Sequence, residues 1–300
     1  MLGRFFKYVE ITTKITSLFA FLMGLAFLYY RDQQIHWKLT LLFFAGMFLF
    51  DLTTTAINNY IDTKTNDQEL TLPRKPAFAA LMILLCVSTA CGIFLAYLTD
   101  IVVLLTGGLC FLGGILYTWG PVPISRLPLG EALSGIFYGL LIPFLLLYIN
   151  MPEGTFLKLA LSSGELVITL HIMPLIGLLL LSAAPACATA NIMLANNICD
   201  VERDVLVKRY TLAYYLGKKR ALLLFSATYY AVYAVHLVMI IIGILPPLCL
   251  LFFITLIPVV KNIRVFRKTQ NKETTFLCSI KNYILIMSAD AGLIFICGLL

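Results

Sequence analysis

A chain of 300 residues with 61% hydrophobic and only 12% charged side chains has too little polar surface for a water-soluble globule, and its mean hydropathy is +0.94. Continuous apolar runs without period-two alternation exclude a membrane β-barrel. The net charge of +7 requires no nucleic-acid partner, because topology signals facing anionic lipid account for it.

The expected fold class is all-α: a polytopic membrane protein, with residues 1–300 as one transmembrane domain. A spanning helix takes about 20 apolar residues. In chain order the spans are expected at 12–30, 39–60, 77–98, 101–118, 131–149, 168–195, 221–244, 246–264 and 281–300. Tight turns join 101–118 and 246–264 to their neighbours. The first span lacks a small-residue cleavage pattern and is expected to remain as a helix. The eight cysteines are scattered, mostly within spans and without paired CxxC spacing, and read as small apolar packers. With the N-terminus inside, nineteen Lys and Arg fall in inside segments, and only Arg31, Lys38 and Lys158 fall outside. This asymmetry predicts a multi-pass protein of the cell membrane with a cytoplasmic N-terminus.

The second and sixth spans both run from outside to inside, and both end in acid. The first stretch is INNYIDTKTND, Ile57 to Asp67; the second is NNICDVERD, Asn196 to Asp204. Side chains four apart share a helix face. That groups Asn58 with Asp62, and Asn196 with Asp200 and Asp204. A helix continuing through residue 66 would add Asn66 to the first row, whereas one ending near 63 would let Asp67 fold back toward Asp62. The sequence leaves both open. An Asp within a membrane helix costs about 2.5–3.5 kcal/mol, and like charges at this spacing disfavour the helix further. A divalent ion shared by carboxylate and amide oxygens removes the repulsion. Mg²⁺ prefers one or two carboxylates completed by substrate phosphate oxygens. The rows therefore ask for Mg²⁺ and an anion such as a diphosphate; the bland alternative is two ordinary polar helix ends in loops.

The two stretches resemble the aspartate-rich motifs of the UbiA superfamily of intramembrane prenyltransferases, and the resemblance covers nearly the whole chain. It implies nine helices in a single bundle around a central cavity, with both motifs on the cytoplasmic side. YTWGPVPISRLPLGE (Tyr117 to Glu131) and YTLAYYLGKKRA (Tyr210 to Ala221) are similar to stretches in the 1,4-dihydroxy-2-naphthoate polyprenyltransferase branch. That branch implies Mg²⁺-dependent transfer of a polyprenyl group from its diphosphate to dihydroxynaphthoate, with loss of CO₂ and diphosphate, giving demethylmenaquinone. Polyprenyl diphosphate, the aromatic acceptor and membrane lipid would be the partners, with no nucleic acid. Another acceptor such as 4-hydroxybenzoate stays open, as do a transporter and a non-catalytic scaffold. Charges gathered on one side and no evident inverted repeat count against transport. One departure keeps the scaffold in view: the first motif has Asn66 where a final Asp is usual, and its acid comes at Asp67.

By resemblance, Asn58, Asp62, Asn66 or Asp67, Asn196, Asp200 and Asp204 are the metal-side residues. Asp62, Asp200 and Asp204, with Tyr117 and Lys64, form the expected catalytic set. Lys64, Arg74, Lys75, Lys208 and Arg209 lie in the same two loops as candidates for diphosphate, with Lys64 and Lys208 favoured by closeness to the motifs. Each also serves as a topology charge. Tyr60 and Tyr117 are candidates to face a prenyl cation, with Tyr60 better read as an interfacial aromatic. Lys14 or Arg126 would meet the acceptor carboxylate, although Lys14 equally suits snorkelling to the interface. Glu131 would orient a hydroxyl or cap its helix. Asp51, seven residues before Asn58, is expected to line the same cavity, while His171 and His236 read as core or interface packing. The small residues of 183–190, AAPACATA, permit close helix contact.

Overall fold

The computed structural model describes residues 2–65, 69–120, 123–162 and 164–300. A short helix, α1 (Leu2–Tyr8), precedes the first span. The buried Tyr8 hydroxyl donates to the Ala56 carbonyl at 3.0 Å and lies 3.3 Å from that of Ala77, which ties the N-terminal segment to two later helices. Among the described residues, nine helices are then long and apolar enough to cross a membrane. They are α2 (Ile15–Tyr30), α3 (Trp37–Thr65), α4 (Arg74–Leu98) and α5 (Ile101–Thr118); then α6 (Gly130–Ser134), continued by a π-turn (Gly135–Leu141) into α7 (Ile142–Tyr148). The last four are α8 (Ile172–Leu206), α9 (Leu212–Ile241), α10 (Leu256–Lys268) extended at its start by a 3₁₀ segment (Pro247–Thr255), and α11 (Leu277–Leu299). The expected helical class and span count both hold.

Local chemistry sets several boundaries. The tight turn before α5 is closed by Asp100, whose carboxylate accepts from the N–H groups of Val102 (2.9 Å) and Val103 (3.1 Å) and from the Tyr148 hydroxyl. Gly243, at φ +77°, ends α9 in the left-handed conformation that glycine adopts without strain. Pro174 falls in the first turn of α8, where its missing N–H has no helical partner to lose, while Pro185 lies inside that helix.

Packing follows from the small residues. At Gly139 on the π-turn, a Cβ would lie 2.2 Å from the Ala186 Cα, and at Gly135 one would lie 2.9 Å from the Ala186 carbonyl. Glycine alone allows this approach of α8, and the small residues of 183–190 supply the other face. α3 packs on α4, α8 on α9 and α11 on α2, which closes the bundle. The Tyr283 hydroxyl donates to the Thr16 carbonyl at 2.9 Å across that closing contact. Ile83 and Phe94 of α4 and Leu105 and Leu112 of α5 point outward, as expected where the solvent is lipid.

The seventh span, expected at 221–244, begins at Leu212, with a kink at the non-helical Gly217 (φ +71°), and the sixth differs from expectation at both ends. The span expected at 168–195 begins only at Ile172, because Glu165–Leu170 (β2) pairs antiparallel with Leu157–Ser162 (β1), with Gly164 in the turn at φ +83°. The run LVITL is apolar enough for a helix, but its β-branched residues suit a strand. At its other end α8 runs on to Leu206. Its 35 residues make about 52 Å of helix, longer than a bilayer core, so the second acidic stretch is carried on helical turns beyond the apolar part.

Candidate active site

The bundle encloses a cavity of about 930 Å³, lined from α2, α3, α4, α5, the π-turn, α8 and α11. Its lining reaches the ends of α3 and α8 at Asn58, Asn196, Arg209 and Lys272, and this end is taken as its mouth. Both acidic rows are helical there, so the i, i+4 alignment read from sequence is realised. α3 stays helical to Thr65, the limit of the described residues on that side. Asn66, Asp67 and the Lys64 side chain lie outside the described residues.

On the first row, the Asn58 Oδ1 accepts from the Thr118 hydroxyl at 3.1 Å, and Asn58 also hydrogen-bonds Asp62. Arg209 and Arg126 both act on the Asp62 carboxylate. On the second row, Lys272 Nζ lies 2.5 Å from Asp200 Oδ2 and contacts Asn196 Oδ1. Asp204 is buried; its Oδ1 lies 3.9 Å from Arg209 Nη1, and among the described residues its Oδ2 has no hydrogen-bond partner. Arg209 therefore serves carboxylates of both rows. Its position is fixed from behind: Nε donates to the Ser125 carbonyl at 2.9 Å, its N–H donates to the Asp204 carbonyl at 2.9 Å, and the next residue, Tyr210, donates to the Arg126 carbonyl at 3.1 Å. The loop after α8 thus locks onto the 3₁₀ turn Ile124–Arg126. This brings the two quoted stretches, 117–131 and 210–221, to one site.

The remaining cations divide. Lys208 is exposed at φ +57°, the left-handed residue just past the end of α8, so its neighbour Arg209 takes the inward position. Arg74 donates to the carbonyls of Tyr60 (3.2 Å) and Thr63 (2.9 Å), where a cation complements the helix end, and its guanidinium lies 5.4 Å from the Tyr60 ring. Lys75 is exposed on the first turn of α4. Tyr117 lines the cavity, its hydroxyl 3.7 Å from the Met193 sulfur. Glu131 is buried and accepts from Asn197 Nδ2 at 2.8 Å, so the second Asn of the NN pair turns away from its row.

Lys14 does not snorkel. It is 4% exposed inside the bundle, and its three N–H donors are used on the Asp51 carbonyl (3.0 Å), the Asp51 Oδ1 (2.9 Å) and the Thr55 hydroxyl (2.5 Å). Asp51 also accepts from Tyr138 (2.8 Å) and Ser17 (2.6 Å). Asp51 lines the cavity as expected, but Lys14 is engaged within the protein rather than turned toward an incoming carboxylate. Asp290 sits 3.3 Å from His236 Nδ1, whose Nε2 meets the Cys249 carbonyl at 3.1 Å, away from the cavity.

Sequence reasoning missed Lys272 at the site and ranked Arg209 below Lys208. The only available signal for Lys272 was a lysine in a loop on the same side as the rows. The mouth fits a hard divalent ion on two observations: all row donors are carboxylate or amide oxygens, and an ammonium group already bridges two of them. Among the described residues no three His, Cys, Asp or Glu side chains gather at one point.

Fold and mouth together define a helical membrane protein with paired acidic rows over an apolar cavity. The chain matches the UbiA prenyltransferase family over residues 17–283 and belongs to that family. It is 29% identical to the 1,4-dihydroxy-2-naphthoate octaprenyltransferase of Bacillus subtilis (strain 168) over 153 residues, which is 51% of this chain and 43% of that one. Among solved structures, a UbiA homologue from Aeropyrum pernix K1 superposes with a TM-score of 0.66 at 18% identity, covering 92% of this chain and 96% of that one. A UbiA homologue from Archaeoglobus fulgidus bound to GPP and Mg²⁺ gives 0.61 at 12% identity over 97% and 99%. At these identities the structural likeness shows the fold.

Proposed function

We propose that this prenyltransferase moves a polyprenyl group from its allylic diphosphate to 1,4-dihydroxy-2-naphthoate, with Mg²⁺ at the mouth, giving demethylmenaquinol (the reduced form of demethylmenaquinone), CO₂ and diphosphate. Residues 1–300 then form one transmembrane catalytic domain in the cell membrane, with the mouth and the N-terminus on the cytoplasmic side. The carrying observation is Arg209, which lines an apolar cavity 3.9 Å from the Asp204 carboxylate and within electrostatic reach of Asp62. A guanidinium flanked by carboxylates from two helices is suited to an anion that arrives with its own cations. The Bacillus subtilis relative and the stretches 117–131 and 210–221 support the naphthoate acceptor.

Asn58, Asp62, Asn196, Asp200 and Asp204 would hold the metal, with Asn66 or Asp67 extending the first row. Bound Mg²⁺ supplies Lewis-acid neutralisation of the leaving diphosphate. Arg209 binds the diphosphate bidentately, and Arg126, which acts on Asp62, is available to either the diphosphate or the acceptor carboxylate. The allylic C–O bond breaks with its electron pair going to the diphosphate. The ring carbon bearing the carboxylate then attacks the allylic carbon. Cleavage of the carboxyl C–C bond releases CO₂ and returns its electron pair to the ring, so no ring proton has to be removed. Tyr117 lines the cavity, where its ring is suited to stabilise a prenyl cation. Beyond it, the stacked rings of Phe50 and Phe111, 3.9 Å apart, and Phe137 line the wall where the chain's first isoprene units would lie shielded from water.

The test is to incubate membranes containing the protein with radiolabelled geranylgeranyl diphosphate, Mg²⁺ and a panel of aromatic acceptors. Transfer to dihydroxynaphthoate with loss of its carboxyl carbon is the expected result. Transfer to 4-hydroxybenzoate alone would replace the acceptor, and no transfer to any acceptor would overturn the reading.

A further inference from the structure

We propose that Lys272 is the resident cation of the second acidic row. It holds Asn196 and Asp200 together until a divalent ion takes those oxygens, and then turns to the diphosphate as a binding group. This rests on the reading of the mouth as a metal–diphosphate site.

Lys272 comes from the loop between α10 and α11, 76 residues from Asn196 and 72 from Asp200, and reaches across the mouth to both. Its ammonium lies 2.5 Å from Asp200 Oδ2 and also contacts Asn196 Oδ1, so one positive point bridges two successive oxygens of the row. An ammonium has donors only, which lets it imitate a hard cation at such a point. The same two oxygens cannot bind an ammonium and a divalent ion at contact distance together. The two cations therefore exclude one another at Asp200.

The loop is shaped to present this side chain. Asn271 Oδ1 accepts from the N–H groups of Glu273 and Thr274, both at 2.9 Å, and from the Thr274 hydroxyl at 3.0 Å. The Asn271 N–H donates to the Thr275 hydroxyl at 2.8 Å, and the Asn271 carbonyl accepts from Phe276 N–H at 2.9 Å. The backbone of the loop is thus fixed while the four-carbon stem is free to swing. The Lys272 side chain is 44% exposed, lines the cavity, and has its ammonium 5.2 Å from the Phe276 ring. Released from Asp200, it stays at the mouth beside Arg209, where a mobile point charge suits phosphate oxygens.

This gives Lys272 two effects of opposite sign. It weakens binding of the metal alone and strengthens binding of the prenyl diphosphate. A plain topology lysine would do neither, and a lysine that merely keeps the row in shape would strengthen both.

The experiment titrates Mn²⁺ into purified full-length protein without substrate, reading free Mn²⁺ by EPR, for wild type, Lys272→Met and Asp200→Asn. Affinity for a non-hydrolysable geranylgeranyl thiodiphosphate is then measured at saturating Mn²⁺. Lys272→Met should bind Mn²⁺ alone about tenfold more tightly and the thiodiphosphate about tenfold more weakly, a usual size for coupling between two ligands. Lys272→Arg should recover most of the thiodiphosphate affinity. Unchanged or weaker Mn²⁺ binding in Lys272→Met, with wild-type binding that Asp200→Asn abolishes, overturns the role of Lys272 alone. No Asp200-dependent Mn²⁺ binding in either wild type or Lys272→Met overturns this role and the metal site together. Should Lys272→Met fail to fold, Asn271→Ala loosens the loop while keeping the charge. It should tighten Mn²⁺ binding in the same direction, and an unchanged affinity there contradicts the proposal.

Discussion

The bundle carries two sets of charged groups in one apolar surrounding, and they are resolved in opposite ways. Lys14 and Asp51, both at most 5% exposed, satisfy each other, and Ser17, Thr55 and Tyr138 take up the remaining donors and acceptors. About 16 Å further along the same helix begins the mouth, where Asp62, Asp200 and Asp204 share two arginines and a lysine drawn from three loops. Among the described residues, one Asp204 oxygen has no hydrogen-bond partner. Buried ionic groups that complete one another hold a structure together, whereas groups left with unspent capacity mark where something from outside is to be bound.

Substitutions should separate the two sets. Asp62→Asn and Asp200→Asn are each expected to lower prenyl transfer about 10²–10³-fold while the purified protein melts near the wild-type temperature, as measured by product formation and thermal unfolding in parallel. Asp51→Asn should do the reverse in kind. Stranding the Lys14 charge costs about 3–5 kcal/mol, so expression and melting temperature fall first, and the apolar pair Lys14→Met with Asp51→Leu should regain most of the loss. Arg209→Lys keeps the charge but not the fork; it should raise the KM for prenyl diphosphate about tenfold, while Lys208→Ala leaves it within about twofold. The smallest effect is expected at Tyr117→Phe. Among the described residues its hydroxyl hydrogen-bonds only a methionine sulfur, a weak acceptor, so turnover should stay within about threefold if the ring face is what matters.

Much of this was legible before any coordinates. Long apolar runs report spans because nothing else satisfies backbone groups in lipid, and all nine were found that way. The rows were legible because Asn58 and Asp62, and likewise Asn196, Asp200 and Asp204, obey helical spacing within a single element. What escaped depends on contacts between elements. The choice of Arg209 over Lys208 turns on a left-handed backbone at Lys208, invisible in a run of similar charges. Lys272 joins the mouth through a loop whose fold is set by the Asn271 side chain, and Lys14 looked like an interfacial lysine because its partner stands 37 residues away. The end of the strand Glu165–Leu170, residues 168–170, reads as part of the sixth span because a short apolar run has no period to betray it.

The decisive measurement concerns whether the two acidic rows act on one diphosphate. With a bound geranylgeranyl thiodiphosphate and Mn²⁺ in place of Mg²⁺, both phosphorus resonances should broaden in the wild-type protein, and Asp62→Asn and Asp200→Asn should each largely abolish that broadening. Full broadening that persists in either variant would mean that one row suffices, and a diphosphate clamped between α3 and α8 would be contradicted.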